Sequence, residues 1–515
     1  MTAETQLSAS SPGSDIWRAG RLTVFEMFRT RVKRQPDALA VEHAGGRISY
    51  AELHDRVLRL AAILDQRGLK RGDRVAILSE NRPEYVELEL AAARNGLIVA
   101  CQNWRLSTAE LRHCITLVEP KLVVVSARYL ETVAGLGLGL PVLDLDADYP
   151  GLMAGASPAS GPDPFVDPED GLVILYTSGT TGLPKGALIS HRAEIARMTV
   201  LAIDLNVTSE DGFVAWAPLF HMGSTDQTLA ALMSGGPVIV IDGFNARRIV
   251  DAVASHRIGW LLLMPGSIEP VVEIMRAERV EPKGVKVCGA MADLVPLQLI
   301  AELSGIMRAP YLNSFGSTET GLPPGTGATL PPGEIPKSLS KRQSSLCDIR
   351  LVDPSGNDVA PGEPGEVAIR GATVFSGYWN AEGTNRSDFR GGWFHMGDLF
   401  RQNPDGSYDF VDRAKYMIKS GGENIYPAEI ERVLLSDPRI ADAVVVRKRD
   451  SHWGEVPVAF VARHDDGLSE ADIEQLCRSQ LAGYKRPKEV RFIPFADFPR
   501  STTGKILRHE LEKLL

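Results

Sequence analysis

One stretch narrows the folds open to this 515-residue chain more than any other. Leu172, Val173, Ile174 and Leu175 form an unbroken apolar run. Tyr176, Thr177, Ser178, Gly179, Thr180, Thr181, Gly182, Leu183, Pro184, Lys185 and Gly186 follow it. Such a run predicts a strand buried on both faces, inside a sheet that carries helices on each side. The strand empties into a loop of hydroxyls and glycines that ends in one lysine. Gly179, Gly182 and Gly186 let the backbone take positive φ and approach a ligand. Thr177, Ser178, Thr180 and Thr181 offer donors, and Lys185 offers a positive charge, a set that suits a polyphosphate. A Walker loop would need Gly-Lys followed by Ser or Thr. Here Pro184 precedes Lys185 and Gly186 follows it, so that reading fails. A flexible Ser/Gly linker leaves the buried strand unexplained.

The flanking sequence fits a layered α/β architecture. Residues 50–67 carry Leu53, Val57, Leu60 and Leu64 at helical spacing, and 84–95 again reads as a helix. Ser107 to Glu110 is a capping box that opens a third helix. Residues 74–78, 97–100 and 121–125 read as strands between them, a β-α-β alternation that implies a mostly parallel sheet. Residues 150–168, rich in Gly, Pro, Ala, Ser and Asp, read as a connector between two sub-domains. Near the C-terminus, helices at 428–435 and 469–481 alternate with strands at 441–447, 456–463 and 489–493.

A net charge of −9 argues against a nucleic-acid partner held through phosphates. No apolar run approaches the length of a membrane span. The polar Met1 to Asp15 has no signal-peptide pattern, and residues 1–20 read as a disordered tail. Five scattered cysteines, odd in number, fit reduced thiols in a cytoplasm and no zinc site.

Further stretches stand out in order. Residues 211–223 predict a strand that ends at Pro218, with His221 just beyond. Residues 285–293 predict a strand that ends at Cys288 before Gly289, Ala290, Met291 and Asp293. Residues 313–321 read Asn-Ser-Phe-Gly-Ser-Thr-Glu-Thr-Gly. Residues 392–399 read Gly-Trp-Phe-His-Met-Gly-Asp-Leu, with Asp398 expected in a turn. Asp412, Arg413, Ala414 and Lys415 come next, then Gly421-Gly422, Tyr484-Lys485-Arg486-Pro487 and finally Thr503-Gly504-Lys505. Each alone has a bland explanation: a helix start, an Asx turn or a solvated charge. Lys341 and Arg342, in a segment of no clear pattern, are expected to face solvent.

Together and in this order, these stretches resemble the adenylate-forming enzymes: acyl- and aryl-CoA ligases, luciferases and the adenylation domains of peptide synthetases. The resemblance runs from about Leu22 to Leu515. It implies an α/β fold with a large N-terminal domain of layered sub-domains, residues 1–412, and a small mobile C-terminal α+β domain, residues 413–515. It implies ATP, Mg²⁺ and CoA as cosubstrates and cofactor. The 177–185 loop and Lys185 would hold phosphates. Phe315 would offer a face to adenine, Gly316 would allow close approach, and Gly289, Ala290 and Ser314 would complete that wall. Thr318 would bond the α-phosphate, and Glu319 would give Mg²⁺ a hard oxygen ligand. Asp398 and Arg413 would take the ribose. Lys415 would be the hinge, Gly421, Gly422 and Lys485 would meet CoA, and Lys505 would be the catalytic lysine. His221, Met222, Met291 and Leu322 would line the acyl pocket.

The resemblance implies an ATP-dependent ligase that joins a hydrophobic carboxylic acid, fatty or aromatic, to CoA. Amino-acid-activating relatives carry Asp where His221 stands, so an α-amino acid is disfavoured. The alternative is a free-standing enzyme that loads a carrier protein. An oxygenase of the luciferase type finds no support in the residues. A nucleotide-binding regulator without catalysis would not need Lys185, Glu319 and Lys505 together. A monomer or homodimer is expected.

Overall fold

The computed structural model describes residues 19–177, 183–421, 423–464, 467–500 and 506–515. The expected N-terminal tail (up to residue 18), Ser178 to Gly182, Gly422 and Lys505 lie outside these. The chain divides into two units: residues 1–348 with 370–392, and 349–369 with 393–515.

The apolar run opens the strand Gly171–Thr177, whose first five residues are buried. It lies in a six-stranded sheet ordered Val142–Asp144, Leu122–Val125, Arg74–Leu78, Ile98–Cys101, Gly171–Thr177, Lys185–Ser190. All neighbours are parallel except the last pair, where Lys185–Ser190 folds back antiparallel. The helix Tyr50–Gln66 buries Leu53, Val57, Leu60 and Leu64, and Ser107 and Glu110 form the expected reciprocal cap. Residues 150–168 do not separate two sub-domains. They join Val142–Asp144 to Gly171–Thr177 within this one sheet, and their start belongs to the helix Tyr149–Gly155. Gly and Pro richness marks a break in secondary structure but cannot tell whether the chain then leaves the sheet.

The second sheet of this unit has eight strands. In spatial order, Tyr311–Leu312, Val285–Cys288, Ile258–Leu261, Gly212–Ala215 and Val238–Val240 run parallel at its centre. The strand Gly212–Ala215 stops short of the expected Pro218. Apart from the half-buried Val285 and Lys286, the central strands are buried and mainly apolar, as parallel strands covered on both faces require. Three stretches singled out in the sequence, those with His221, Met291 and Glu319, all leave the same carboxyl edge of this sheet. Ligands bind at that edge in open α/β sheets.

In the second unit, Pro364–Gly371, Trp393–Gln402 and Tyr408–Arg413 make an antiparallel sheet. A five-stranded sheet follows, built on the long hairpin Ile440–Asp450 and Gly454–Arg463, with Glu489–Phe492 added in parallel. The helices Pro427–Leu434 and Glu470–Gln480 cover one face, and Ile430, Leu434, Val445, Val461, Ile473 and Cys477 form the core there. This is the expected mix: α/β in the large part and α+β in the small one.

Candidate active site

Lys185 starts its strand where Gly171–Thr177 and the return strand pair, opposite Thr177. The segment 376–379 adds a further edge beside that return strand. Ser376 N–H donates to Leu188 O (2.8 Å), Leu188 N–H to Gly377 O (3.0 Å) and Trp379 N–H to Gly186 O (2.8 Å). These bonds set the Tyr378 ring against Lys185, with Nζ 4.2 Å from the ring centroid. The Tyr378 hydroxyl donates to Glu319 Oε1 at 2.7 Å, and Phe375 N–H donates to Glu319 O at 2.8 Å. A lysine and a carboxylate from sequence positions far apart are thus joined through one tyrosine. Glu319 is 9% exposed, and Thr318 beside it is partly open.

The Thr-Glu pair does not start a helix. It sits in the turn between the short strands Gly316–Ser317 and Gly321–Pro324. The Thr320 hydroxyl accepts from Ser317 N–H at 3.1 Å and closes the turn. A Cβ on Gly316 would overlap Gly321 O, so the close approach made there is to its own hairpin. Phe315 packs its ring over Gly325.

The loop Gly289 to Met291 is braced from beneath. Gly289 has φ +74, and a Cβ there would run into the Tyr311 ring. The Tyr311 hydroxyl donates to Ala290 O (2.7 Å), and Trp260 Nε1 donates to Gly289 O (2.8 Å). Met291 holds φ +52, a left-handed conformation uncommon for its type. His221 caps the helix Met222–Ser234: Gly223 N–H donates to its Nδ1 at 3.2 Å, so the neutral ring carries its proton on Nε2. Leu322 lies buried on Gly321–Pro324.

Lys341 corrects the sequence expectation. It is buried, not solvated: its ammonium donates to Asn313 Oδ1 (2.9 Å) and Leu339 O (3.1 Å) and pairs with Asp293 at 2.7 Å. Two of the three acceptors come from afar, Asp293 after Met291 and Asn313 before Ser314. Their distance in sequence hides them from a local reading. A desolvated ammonium needs such a full set of partners, and in finding it Lys341 ties the loop after Cys288 to the stretch after Leu312. Arg342 is exposed, as expected.

The second unit holds the remaining candidates. Asp398 is not in a turn. It lies on the strand Trp393–Gln402, next to Gly397 at φ +74, and faces Arg413 across the ladder. The two pair at 2.8 Å. Lys415 lies in the short turn Ala414–Tyr416, and its carbonyl accepts from Arg447 Nη2 at 2.8 Å. Arg508 stacks over Tyr416, and Asp412 Oδ2 accepts from Ala428 N–H at 2.7 Å. Burial pushes the Asp412 carboxyl up to about 6. Gly421 has φ +59, and the Trp453 ring covers it. Lys485 Nζ is held by both oxygens of Glu429 at 2.7 Å.

Two contributors escaped the sequence reading. Tyr378, in the run Gly-Tyr-Trp-Asn at 377–380, carries no local mark of a role. Asn81 gave no signal at all. Its amide donates to Ala217 O (2.7 Å) and accepts from Leu219 N–H (2.8 Å), which fixes the approach to His221.

Family comparison agrees with this geometry. Residues 28–379 match the model of the AMP-binding enzyme, and 429–505 match the AMP-binding enzyme C-terminal domain. The chain is 34% identical to an indoleacetate–CoA ligase of Aromatoleum aromaticum, over 93% of this chain and 96% of that one. It is 34% identical to a feruloyl-CoA synthase of an Amycolatopsis species, over 94% and 97% respectively. It also superposes on the o-succinylbenzoate coenzyme A synthetase of Bacillus subtilis solved with ATP and magnesium. That match has a TM-score of 0.83 and 27% identity, covering 94% of this chain and 98% of the other.

Proposed function

The chain belongs to the AMP-binding enzyme family, and on that premise we propose that it joins an aryl or arylalkanoic acid to coenzyme A. It is an AMP-forming acid–thiol ligase that uses ATP, Mg²⁺ and CoA. The acid carboxylate attacks the α-phosphorus of ATP, and the P–O bond to pyrophosphate breaks. The CoA thiol then attacks the acyl carbon, loses its proton, and AMP departs.

The observation that carries the reading is the contact from Lys185 through Tyr378 to Glu319, beside Thr318. It gathers a cation, a hydroxyl donor and a hard carboxylate oxygen at one place in unit one. Such a site works by positioning and by neutralising charge. Glu319 suits magnesium: Tyr378 occupies Oε1 and leaves Oε2. Among the described residues no group of three or more His, Cys, Asp or Glu forms a protein cage. Mg²⁺ characteristically binds through one or two carboxylates plus water and phosphate. When bound, the ion supplies charge neutralisation at the phosphate oxygens.

The chain's own residues do the rest. Thr318 donates to the α-phosphate, and Thr177, Ser178 to Gly182 and Lys185 hold the outer phosphates. Phe315 faces adenine along with Gly289, Ala290, Ser314 and Gly316. Asp398 and Arg413 exchange their mutual bond for the ribose hydroxyls. Lys505 serves adenylate formation. The C-terminal domain, bounded at Arg413, then turns about Lys415 and brings Gly421, Gly422 and Lys485 to CoA.

Indoleacetate and ferulate, named for the two relatives, favour an aromatic acid over a fatty one. Met222 and Met291 suit an irregular apolar body, and His221 offers no anionic partner to an ammonium. Among the described residues no helix is long and apolar enough to cross a membrane. The five cysteines are free and buried, and a reduced cytoplasmic monomer or homodimer fits them.

The test is AMP and acyl-CoA formation across arylacetates, cinnamates, benzoates, fatty acids and amino acids. The expected result is thioester from one aromatic class. Thioester from fatty acids alone would overturn the aromatic assignment. Pyrophosphate release without thioester would redirect the second step to a carrier protein.

A further inference from the structure

Arg197 lies on the helix His191–Asp204 with its side chain 2% exposed. Its guanidinium reaches three segments. Nη1 pairs with Asp226 Oδ2 at 2.9 Å, Nη2 donates to Thr318 O at 3.1 Å, and Nε donates to Thr373 O at 3.1 Å. Its stem fills the space where a Cβ on Gly321 would stand. Thr318 and Gly321 flank Glu319, and Thr373 opens the segment that delivers Phe375 and Tyr378 to Glu319. One side chain therefore holds both halves of the Glu319 environment from behind.

The surroundings show how unusual this cation is. Glu89, Glu194 and Asp226 are all buried, and both oxygens of Glu89 and of Glu194 lack a hydrogen-bond partner. Three ionised carboxylates around one guanidinium would leave uncompensated charge in a dry interior. Burial and the Asp226 carboxylate push Glu194 well above the usual range, and burial does the same to Glu89. Burial raises Asp226 too, but the Arg197 guanidinium beside it pulls the other way, and of the three carboxyls it is Asp226 that pairs with Arg197, at 2.9 Å. An arrangement this costly to desolvate is a weak source of stability. What it supplies is a rigid fork with fixed donor directions.

We propose that Arg197, held by Asp226, is a positioning residue of the nucleotide site: it fixes the Thr318–Glu319 turn against the segment that carries Tyr378. The inference rests on the reading of Thr318 and Glu319 as the phosphate and magnesium contacts. Arg197 itself touches no substrate, and its effect is confined to the step in which those contacts develop.

The experiment uses the full chain. Arg197→Lys keeps a charge for Asp226 but cannot reach both carbonyls. Adenylate formation should fall about 10- to 100-fold, the scale of lost bonds to a charged donor. KM for MgATP should rise, and equilibrium ATP binding should weaken. CoA thioester formation from a supplied acyl-adenylate should stay within about twofold of wild type, since positioning acts on the first step only. If Arg197→Lys does not melt cooperatively, Arg197→Met with Asp226→Leu replaces the pair by apolar groups and leaves no orphan charge. Wild-type adenylation with unchanged KM for MgATP in the folded variant overturns the proposal. So does an equal loss in both half-reactions, which would mark a merely structural role. Glu319→Gln, measured in parallel, separates the two readings. If it adenylates normally, the site assignment falls and takes the proposal with it; if it is inactive while the Arg197 variant is normal, only the proposal falls.

Discussion

Arg197 and Asp226 meet at 2.9 Å in the first unit with side chains 2% and 1% exposed; Arg413 and Asp398 meet at 2.8 Å in the second with 43% and 12%. The bond lengths are alike, and the pairs differ in how far the arginine is open to water. Breaking a buried pair by removing one partner costs about 3–5 kcal/mol, because the survivor is stranded. In the second pair Asp398 is buried but Arg413 is open to water, which can take the place of the arginine. The first kind fixes geometry. The second can be exchanged for a ligand, as ribose hydroxyls would require. The contrast extends around each pair. Behind Glu319 the Arg197 guanidinium is buried and bonded to three segments, as the Lys341 ammonium is to its own partners. Around Lys415 burial is mixed: Asp412 is buried, while Arg447, which holds the Lys415 carbonyl, is 36% exposed. On the proposed function, a site held rigid for adenylyl transfer and a segment that turns afterwards would call for these two arrangements.

The sharpest way to break the comparison is Lys505→Ala. We expect adenylate formation to fall by about 100- to 1000-fold, the scale of one lost charged contact to a developing anion. Thioester formation from supplied acyl-adenylate should be spared. Equal loss in both half-reactions, read by pyrophosphate release and by CoA thioester, would remove Lys505 from the first step. Lys415→Pro should do the reverse, because it stiffens the backbone at the proposed hinge. Pyrophosphate release should continue while the thioester step falls about 100-fold, as for a constellation that never completes. Loss of both steps would place the hinge elsewhere.

The two units should also differ in how pH moves their stability. His191 in the first unit is buried, and desolvation lowers it from 6.5 to about 4. A lowered folded value means the stability is present above pH 6.5 and is lost as pH falls through 4. Asp412 in the second unit is raised from 3.8 to about 6 by burial. Its stability is present below 3.8 and is lost as pH rises through 6. Each is worth about 3 kcal/mol at full extent. Asp412→Asn should flatten the second slope in urea unfolding followed from pH 4 to 7 and leave the first intact. If both slopes survive, Asp412 is not the source. The smallest effect is Tyr378→Phe, which removes one bond to Glu319 Oε1. Adenylation should fall about 10-fold, with a higher Mg²⁺ concentration for half-maximal rate. An unchanged Mg²⁺ dependence would mean the bond does not orient the carboxylate.

Much of this molecule was legible in its sequence. The run Leu172 to Leu175 announced a covered parallel sheet because only a strand apolar on both faces tolerates that position. The Ser107–Glu110 box and the stripe from Leu53 to Leu64 announced their helices because caps and periodicity are local physics. The order of the signatures announced the reaction. Local pattern could not say that residues 150–168 return to the same sheet, or that Asp398 lies on a strand, since pairing partners are distant in the chain. It could not see that Lys341 finds Asp293 and Asn313 and is buried, that Tyr378 bridges Lys185 and Glu319, or that Arg197 stands behind Thr318. Those facts depend on which loops leave one sheet edge side by side. Sequence fixes the chemistry each residue can offer and the local element it prefers, because both are set within a few bonds. Which offers meet is a property of topology: contacts across a sheet join residues separated by up to hundreds of positions, and no local preference encodes them.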